Sequence, residues 1–305
     1  MSSSKTANTL YVNGSNGVRY AYREFGKQEG IPLVMANHYR SNMDYWDPLL
    51  LNTIGSERPI IIFDQAGVGR SGGEVALTYA GWADHILELA KALGLKYFDL
   101  LGFSMSGAAV QMVALKAPEA VRKLIIAGSS HSMPGPNSDV SGIVWPLDQP
   151  DRKYLVELNT KADGGNAQAA IAYSFYYETE EGQAHAKAYW QRVLGGRAGS
   201  GEPVMTELLN DEASQRQLQA MGEWLTYNPE NSYDRLGELK MPVLVMNGGD
   251  DYLIPTSRSW ALAVKIENAQ LVIYPKAGHG FLQQYAELVG KHINLFLGGH
   301  GESKL

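Results

Sequence analysis

Gly102-Phe103-Ser104-Met105-Ser106-Gly107 lies between an apolar run, Tyr97 to Leu101, and a stretch of helical period that begins near Ala108. A serine among small residues at a strand-to-helix junction sits on a turn too tight for large neighbours. The turn lifts its hydroxyl above the sheet, at a helix N-terminus. A serine hydroxyl is a poor nucleophile near neutrality, so a histidine must take its proton and an acid must orient that histidine. Both partners follow in the order acid, histidine. Asn247-Gly248-Gly249-Asp250-Asp251 comes after an apolar run ending at Met246, and Ala277-Gly278-His279-Gly280-Phe281 comes after the next one. From the residues alone, Asp250 and Asp251 are both candidates for the acid, and His279 is the candidate base. The remaining histidines lack such a setting; His85, His185 and His292 fall on predicted helices.

Residues so far apart in the chain can meet only if strands carry them to one edge. Apolar, β-branched runs bounded by turn residues recur at Leu10 to Val12, Val18 to Tyr22, Pro32 to Ala36, Pro59 to Phe63, Tyr97 to Leu101 and Lys123 to Ala127. Between them, Trp82, Ile86, Leu87, Leu89, Ala90 and Leu93 share one helix face closed by Gly94, and Ala108 to Lys116 forms another helix that stops at Pro118. Alternating strands and helices mean βαβ units, after an opening hairpin that turns near Asn13 to Gly17. From about His131 to Glu238 no convincing strand is found. Its aromatics, among them Trp145, Tyr154, Tyr173, Phe175, Tyr176 and Trp190, sit among helix formers. The pattern resumes with a strand at Pro242 to Met246, a helix at Ser257 to Lys265, a strand at Gln270 to Tyr274 and one closing helix from about Leu282 to Phe296. The expected fold is a mainly parallel, doubly wound α/β sheet with an inserted helical lid. The core spans residues 1–130 and 240–298, the lid 131–239, and an exposed tail 299–305. Loops at the carboxyl ends of the strands then bring Ser104, the acid and His279 together.

Composition narrows the chemistry further. The 305 residues are 45% hydrophobic and 19% charged, enough apolar surface for one large core or two smaller ones. A net charge of -6 with no extended basic run excludes attraction to a phosphate backbone or an anionic membrane, so no nucleic-acid role is expected. With no cysteine there are no disulfides, thiolate metal sites or thiol nucleophiles. No apolar run approaches the ~20 residues that span a bilayer, and the first residues lack the apolar stretch of a secretory signal. An intracellular protein is expected.

On these motifs the chain resembles α/β-hydrolase-fold proteins of the lid-bearing, lipase-and-esterase-like kind. The family's G-x-x-D, followed by proline four residues on, matches Gly248, Asp251 and Pro255, so the resemblance selects Asp251 over Asp250. Phe63-Asp64-Gln65-Ala66-Gly67-Val68-Gly69-Arg70-Ser71 resembles the family's D-x-x-G-x-G-x-S loop and is read as structural. Position 106 is serine where G-x-S-x-G has glycine, with glycine one place later. Relatives carry His-Gly after the third strand. Here Asn37-His38-Tyr39-Arg40 stands there, and counting back from Trp46 puts His38 at the glycine position and Tyr39 at the donor position. The resemblance implies Ser104, Asp251 and His279 as catalytic residues, with the Tyr39 and Met105 N–H groups holding the oxyanion. It implies no metal or organic cofactor.

The expected reaction is cleavage of an ester, lactone or thioester of a small, largely apolar substrate, with His38 and Arg40 as candidates for binding a substrate carboxylate or carbonyl. Relatives with the same three residues also cleave carbon–carbon bonds, form lactones or serve biosynthesis, and some hydrolase-fold proteins are small-molecule receptors. Ser303-Lys304-Leu305 reads as a peroxisomal address. That makes a peroxisomal import receptor the expected partner and the peroxisome, otherwise the cytoplasm, the expected location. Oligomeric state is not legible.

Overall fold

A computed structural model describes residues 3–140 and 166–298. The tripeptide Ser303-Lys304-Leu305 and the aromatics Trp145 and Tyr154 lie outside the described residues. Eight strands form one sheet in the order β1-β2-β4-β3-β5-β6-β7-β8. They are β1 Leu10–Asn13, β2 Arg19–Gly26, β3 Leu33–Ala36, β4 Pro59–Phe63, β5 Phe98–Phe103, β6 Val121–Ala127, β7 Val243–Gly248 and β8 Ala269–Tyr274. β1 and β2 pair antiparallel, as do β2 and β4; every other neighbour is parallel. β2 continues past the expected Tyr22 because it pairs with β4 along its whole outer half, from Tyr22 opposite Phe63 to Gly26 opposite Pro59.

Helices cover both faces, which explains why β3 to β7 read as continuous apolar runs rather than as alternation. α2 (Tyr79–Ala92) and α3 (Met105–Lys116) pack together on one face, burying Trp82, Ile86, Val110 and Val113 against Val34, Leu100 and Leu124. On the other face α1 (Pro48–Gly55) packs on the last helix, burying Leu50, Ile54 and Ile293 against Met35, Leu101 and Ile125. α1 was not among the sequence expectations, although Asp47 caps it through Leu49 N–H at 2.9 Å and Pro48 occupies its first turn.

Between β6 and β7 the described residues form no strand. They contain α4 (Ala167–Phe175), α5 (Glu180–Leu194), α6 (Asp211–Trp224) and a 3-10 turn at Tyr233–Glu238. α5 is pinned to the core by Tyr189, whose hydroxyl donates to Tyr45 O at 2.7 Å. Arg192 adds Nη2 to the buried Asp47 carboxylate at 2.6 Å. After β7 come α7 (Thr256–Lys265), then α8 (Phe281–Gln284) and α9 (Ala286–Gly298). The single closing helix expected from periodicity is thus two. The break falls at Tyr285, whose ring stacks on Tyr274 at 5.7 Å and whose hydroxyl donates to Pro275 O at 2.8 Å. Among the described residues no helix is long and apolar enough to cross a membrane.

Candidate active site

β5 ends at Phe103, and α3 begins at Met105, three residues earlier than the period suggested. Ser104 carries the whole turn, at φ 58° and ψ -123°. A non-glycine residue pays for a left-handed conformation, so neighbours must hold it there. Ser104 N–H donates to Ala127 O at 2.8 Å, and Ser104 O accepts from Gly107 N–H at 2.9 Å. Gly107, not residue 106, is the glycine that close approach demands: a Cβ there would lie 2.3 Å from Ser129 Cβ. Ser106 fits because its side chain is fully buried and its hydroxyl donates to Asn37 O. Because α3 starts at once, Met105 N–H is the first of the helix, where no intrahelical acceptor precedes it.

His279 lies on the loop after β8, 1% exposed, and joins the two other residues. Its Nε2 is 2.9 Å from Ser104 Oγ, and its Nδ1 is 2.7 Å from Asp251 Oδ2. An ionised carboxylate can only accept, so Nδ1 carries the proton and Nε2 offers its lone pair to the serine hydroxyl. Asp251 is buried, and its other oxygen accepts from Leu253 N–H at 2.9 Å and Ile254 N–H at 3.0 Å, which fixes the carboxylate plane. Asp250, the other candidate acid, is exposed. Phe103 stacks on the imidazole at 5.0 Å with 26° between planes.

Residues 29–283 match the family model described as alpha/beta hydrolase fold. The chain belongs to the alpha/beta hydrolase family. An alpha/beta hydrolase fold protein from Chitinophaga pinensis has a TM-score of 0.83 and 30% sequence identity, covering 98% of this chain and 100% of that one. RutD of Rhizobium rhizogenes, whose name assigns it to carbamate hydrolysis, is 26% identical over 249 residues, 81% of this chain and 85% of its own. A non-heme chloroperoxidase of Streptomyces lividans is 25% identical over 299 residues, 94% and 98% of the two chains. This alpha/beta hydrolase is accordingly an enzyme of the hydrolase class.

The loop after β3 holds the residues in which this hydrolase leaves the family pattern. His38 N–H is taken by Asn37 Oδ1 at 2.9 Å, so the amide of residue 38 is engaged within its own loop. His38 itself is a buried ring, edge-on to Phe175 at 5.0 Å, Phe103 at 5.6 Å and Tyr45 at 5.8 Å. Its Nδ1–H donates to Tyr39 O at 3.0 Å, and its Nε2 is buried without a hydrogen-bond partner. Burial drives its pKa down to about 3, with nearby His279 adding to the effect, so at neutral pH the ring has no charge with which to hold a carboxylate. Arg40, at φ 59°, is turned to the helical segment: its N–H donates to Gln217 Oε1 at 2.9 Å and its Nη2 to Leu209 O at 3.3 Å.

The D-x-x-G-x-G-x-S loop is structural in geometry. Buried Asp64 accepts from Met43 N–H at 2.7 Å and Arg70 N–H at 2.8 Å, and Ser71 Oγ donates to Asp64 O at 2.7 Å. Two residues at the site escaped the sequence reading, Ser106 as a tether and Phe175 beside His279. The hydroxyl at 106 was a visible departure from the motif; nothing local marks Phe175.

Proposed function

We propose that this enzyme is a serine hydrolase that cleaves an ester, lactone or thioester of a small, largely apolar substrate through an acyl-enzyme. The observation that carries the reading is His279 bridging Ser104 and Asp251 at 2.9 and 2.7 Å. In the first step His279 Nε2 takes the hydroxyl proton as Ser104 Oγ bonds to the carbonyl carbon. The N–H groups of Met105 and Tyr39 stabilise the negative oxygen, and Asp251 stabilises the imidazolium. The intermediate collapses, the leaving group departs with the proton from Nε2, and the acyl group stays on Ser104. Water then repeats the sequence with His279 as base, releasing the acid and restoring Ser104. The helical segment between β6 and β7 serves as a lid, and its Phe175, packed beside His279, supports an apolar substrate.

The test is the intact mass of wild type and Ser104→Ala after incubation with a fluorophosphonate, which labels only an activated serine. One adduct on the wild type and none on the variant is expected. An unlabelled, folded wild type would remove the acyl-transfer reading.

A further inference from the structure

Two hydrogen bonds in the plane of its ring, to Ser104 and Asp251, orient His279, and both are lost if the imidazole turns about its Cβ–Cγ bond. Two packed rings oppose the same turn. His279 to Phe103 is 5.0 Å, His279 to Phe175 is 4.9 Å, and Phe103 to Phe175 is 5.8 Å, so the centroids form a nearly equilateral triangle. Phe103 lies parallel to the imidazole, whereas Phe175 meets it at 78°. Turning the imidazole out of line with Ser104 works against the packing of both rings on it.

Phe175 comes from α4, a different part of the chain from β5 and β8, and its backbone is locked to the histidine loop as well. Its carbonyl oxygen accepts from Gly280 N–H at 2.8 Å. The contact is so close that a Cβ on Gly280 would lie 2.9 Å from both Phe175 Cβ and Phe175 O. The next turn of chain reaches the acid loop, where Tyr177 and Tyr252 rings lie 6.4 Å apart. The corner is tied back to α5 by Gln183, whose Nε2 donates to Tyr177 O at 3.0 Å and Ala172 O at 3.2 Å.

We propose that Phe175 is a positioning residue for His279, making the orientation of the base depend on the seating of the α4–α5 corner. This rests on the acyl-transfer reading above. A substrate that lifts the corner to enter releases the imidazole, and reseating of the corner realigns it.

The experiment compares full-length wild type, Phe175→Ala and Phe175→Leu. It reads phosphonylation rate with the fluorophosphonate, kcat and KM on p-nitrophenyl acetate, and the low-field proton resonance of His279 Nδ1–H. Phe175→Ala is expected to lower kcat and the phosphonylation rate roughly 10- to 100-fold, the scale of a misplaced group, with KM little changed and the low-field resonance lost. Phe175→Leu, which keeps apolar bulk beside Gly280 but not the flat ring, is expected to fall between the two, with a partial loss of kcat and a broadened resonance. If Phe175→Ala does not fold, the leucine variant decides alone: a partial loss of kcat with a broadened resonance supports the role. Wild-type kcat and resonance in the alanine variant, or in the leucine variant when it decides alone, would overturn it, as would a change confined to KM, which marks a substrate wall. An unlabelled wild type removes the underlying reaction, a result distinct from a labelled wild type with an unaffected variant.

Discussion

Ser106 Oγ donates its hydrogen bond to the carbonyl oxygen of Asn37, so the turn that carries Ser104 is fastened to the loop that carries Tyr39. The two amides proposed to hold the oxyanion belong to these two segments. Ser106→Gly restores the usual G-x-S-x-G pattern yet is expected to harm the protein. It leaves the buried Asn37 carbonyl without this donor and adds a glycine to the first turn of α3, a loss of about 1 to 2 kcal/mol. Urea unfolding measures that loss. Phosphonylation should slow by roughly 10-fold, less than the 10²- to 10³-fold cost of removing an oxyanion donor outright.

At Gly107 the reverse exchange is also expected to be harmful. Alanine there places a Cβ 2.3 Å from Ser129 Cβ, between α3 and the residues that follow β6. Gly107→Ala should destabilise by about 1 to 3 kcal/mol through overpacking, seen as a lower Tm. A Tm unchanged from wild type would mean that the elbow is looser than its contacts imply.

Asp251→Asn separates orientation from folding. The amide oxygen of asparagine can still accept from Leu253 N–H and Ile254 N–H, so Tm should move little. The group facing His279 Nδ1 can no longer stabilise the imidazolium and favours the wrong tautomer, so kcat should fall roughly 10³- to 10⁴-fold. Asp250→Asn, on the exposed neighbour, should leave kcat within about twofold of wild type, the scatter of a surface change.

The ring of His38 also makes stability depend on pH. Its folded-state pKa of about 3 lies below the ordinary 6.5, so the unfolded chain takes the proton first. The stability contributed by the neutral ring is complete above about pH 6.5 and is lost as pH falls toward 3, at roughly 1.4 kcal/mol per pH unit. Buried His131, lowered to about 4, acts in the same direction. Buried Asp64, raised to about 6, acts in the opposite one, because its protonated form favours the folded state as pH falls. The comparison with His38→Phe, which keeps the aromatic packing, isolates one group. Relative to that variant, wild type should lose stability steadily from pH 6.5 to 4.5 in chemical unfolding, and parallel curves would show that His38 is not buried neutral.

Features that depend on neighbours in the chain are legible from residue order alone. Apolar runs closed by glycine and proline mark β3 to β8. The small residues around Ser104 mark its turn, and the order Ser104, Asp251, His279 follows from three strand ends that parallel pairing brings to one edge of the sheet. Asp47-Pro48 marked α1 equally well, as a cap and a first-turn proline, but the short helix left too little periodicity to be read.

Other features depend on groups far apart in sequence. Which glycine the elbow needs was settled by Ser129, beyond the end of α3, and the place of Ser106 by Asn37. Arg40 faces the helical segment because Leu209 and Gln217 accept its donors. His38 holds no charge because three rings from separate elements exclude water from it. Phe175 sits beside His279 because its carbonyl oxygen accepts from Gly280 N–H, far along the chain. Desolvation and side-chain contact are properties of the assembled interior. Residue type and spacing locate the groups that can react, while packing decides the direction in which each one points and the charge it carries.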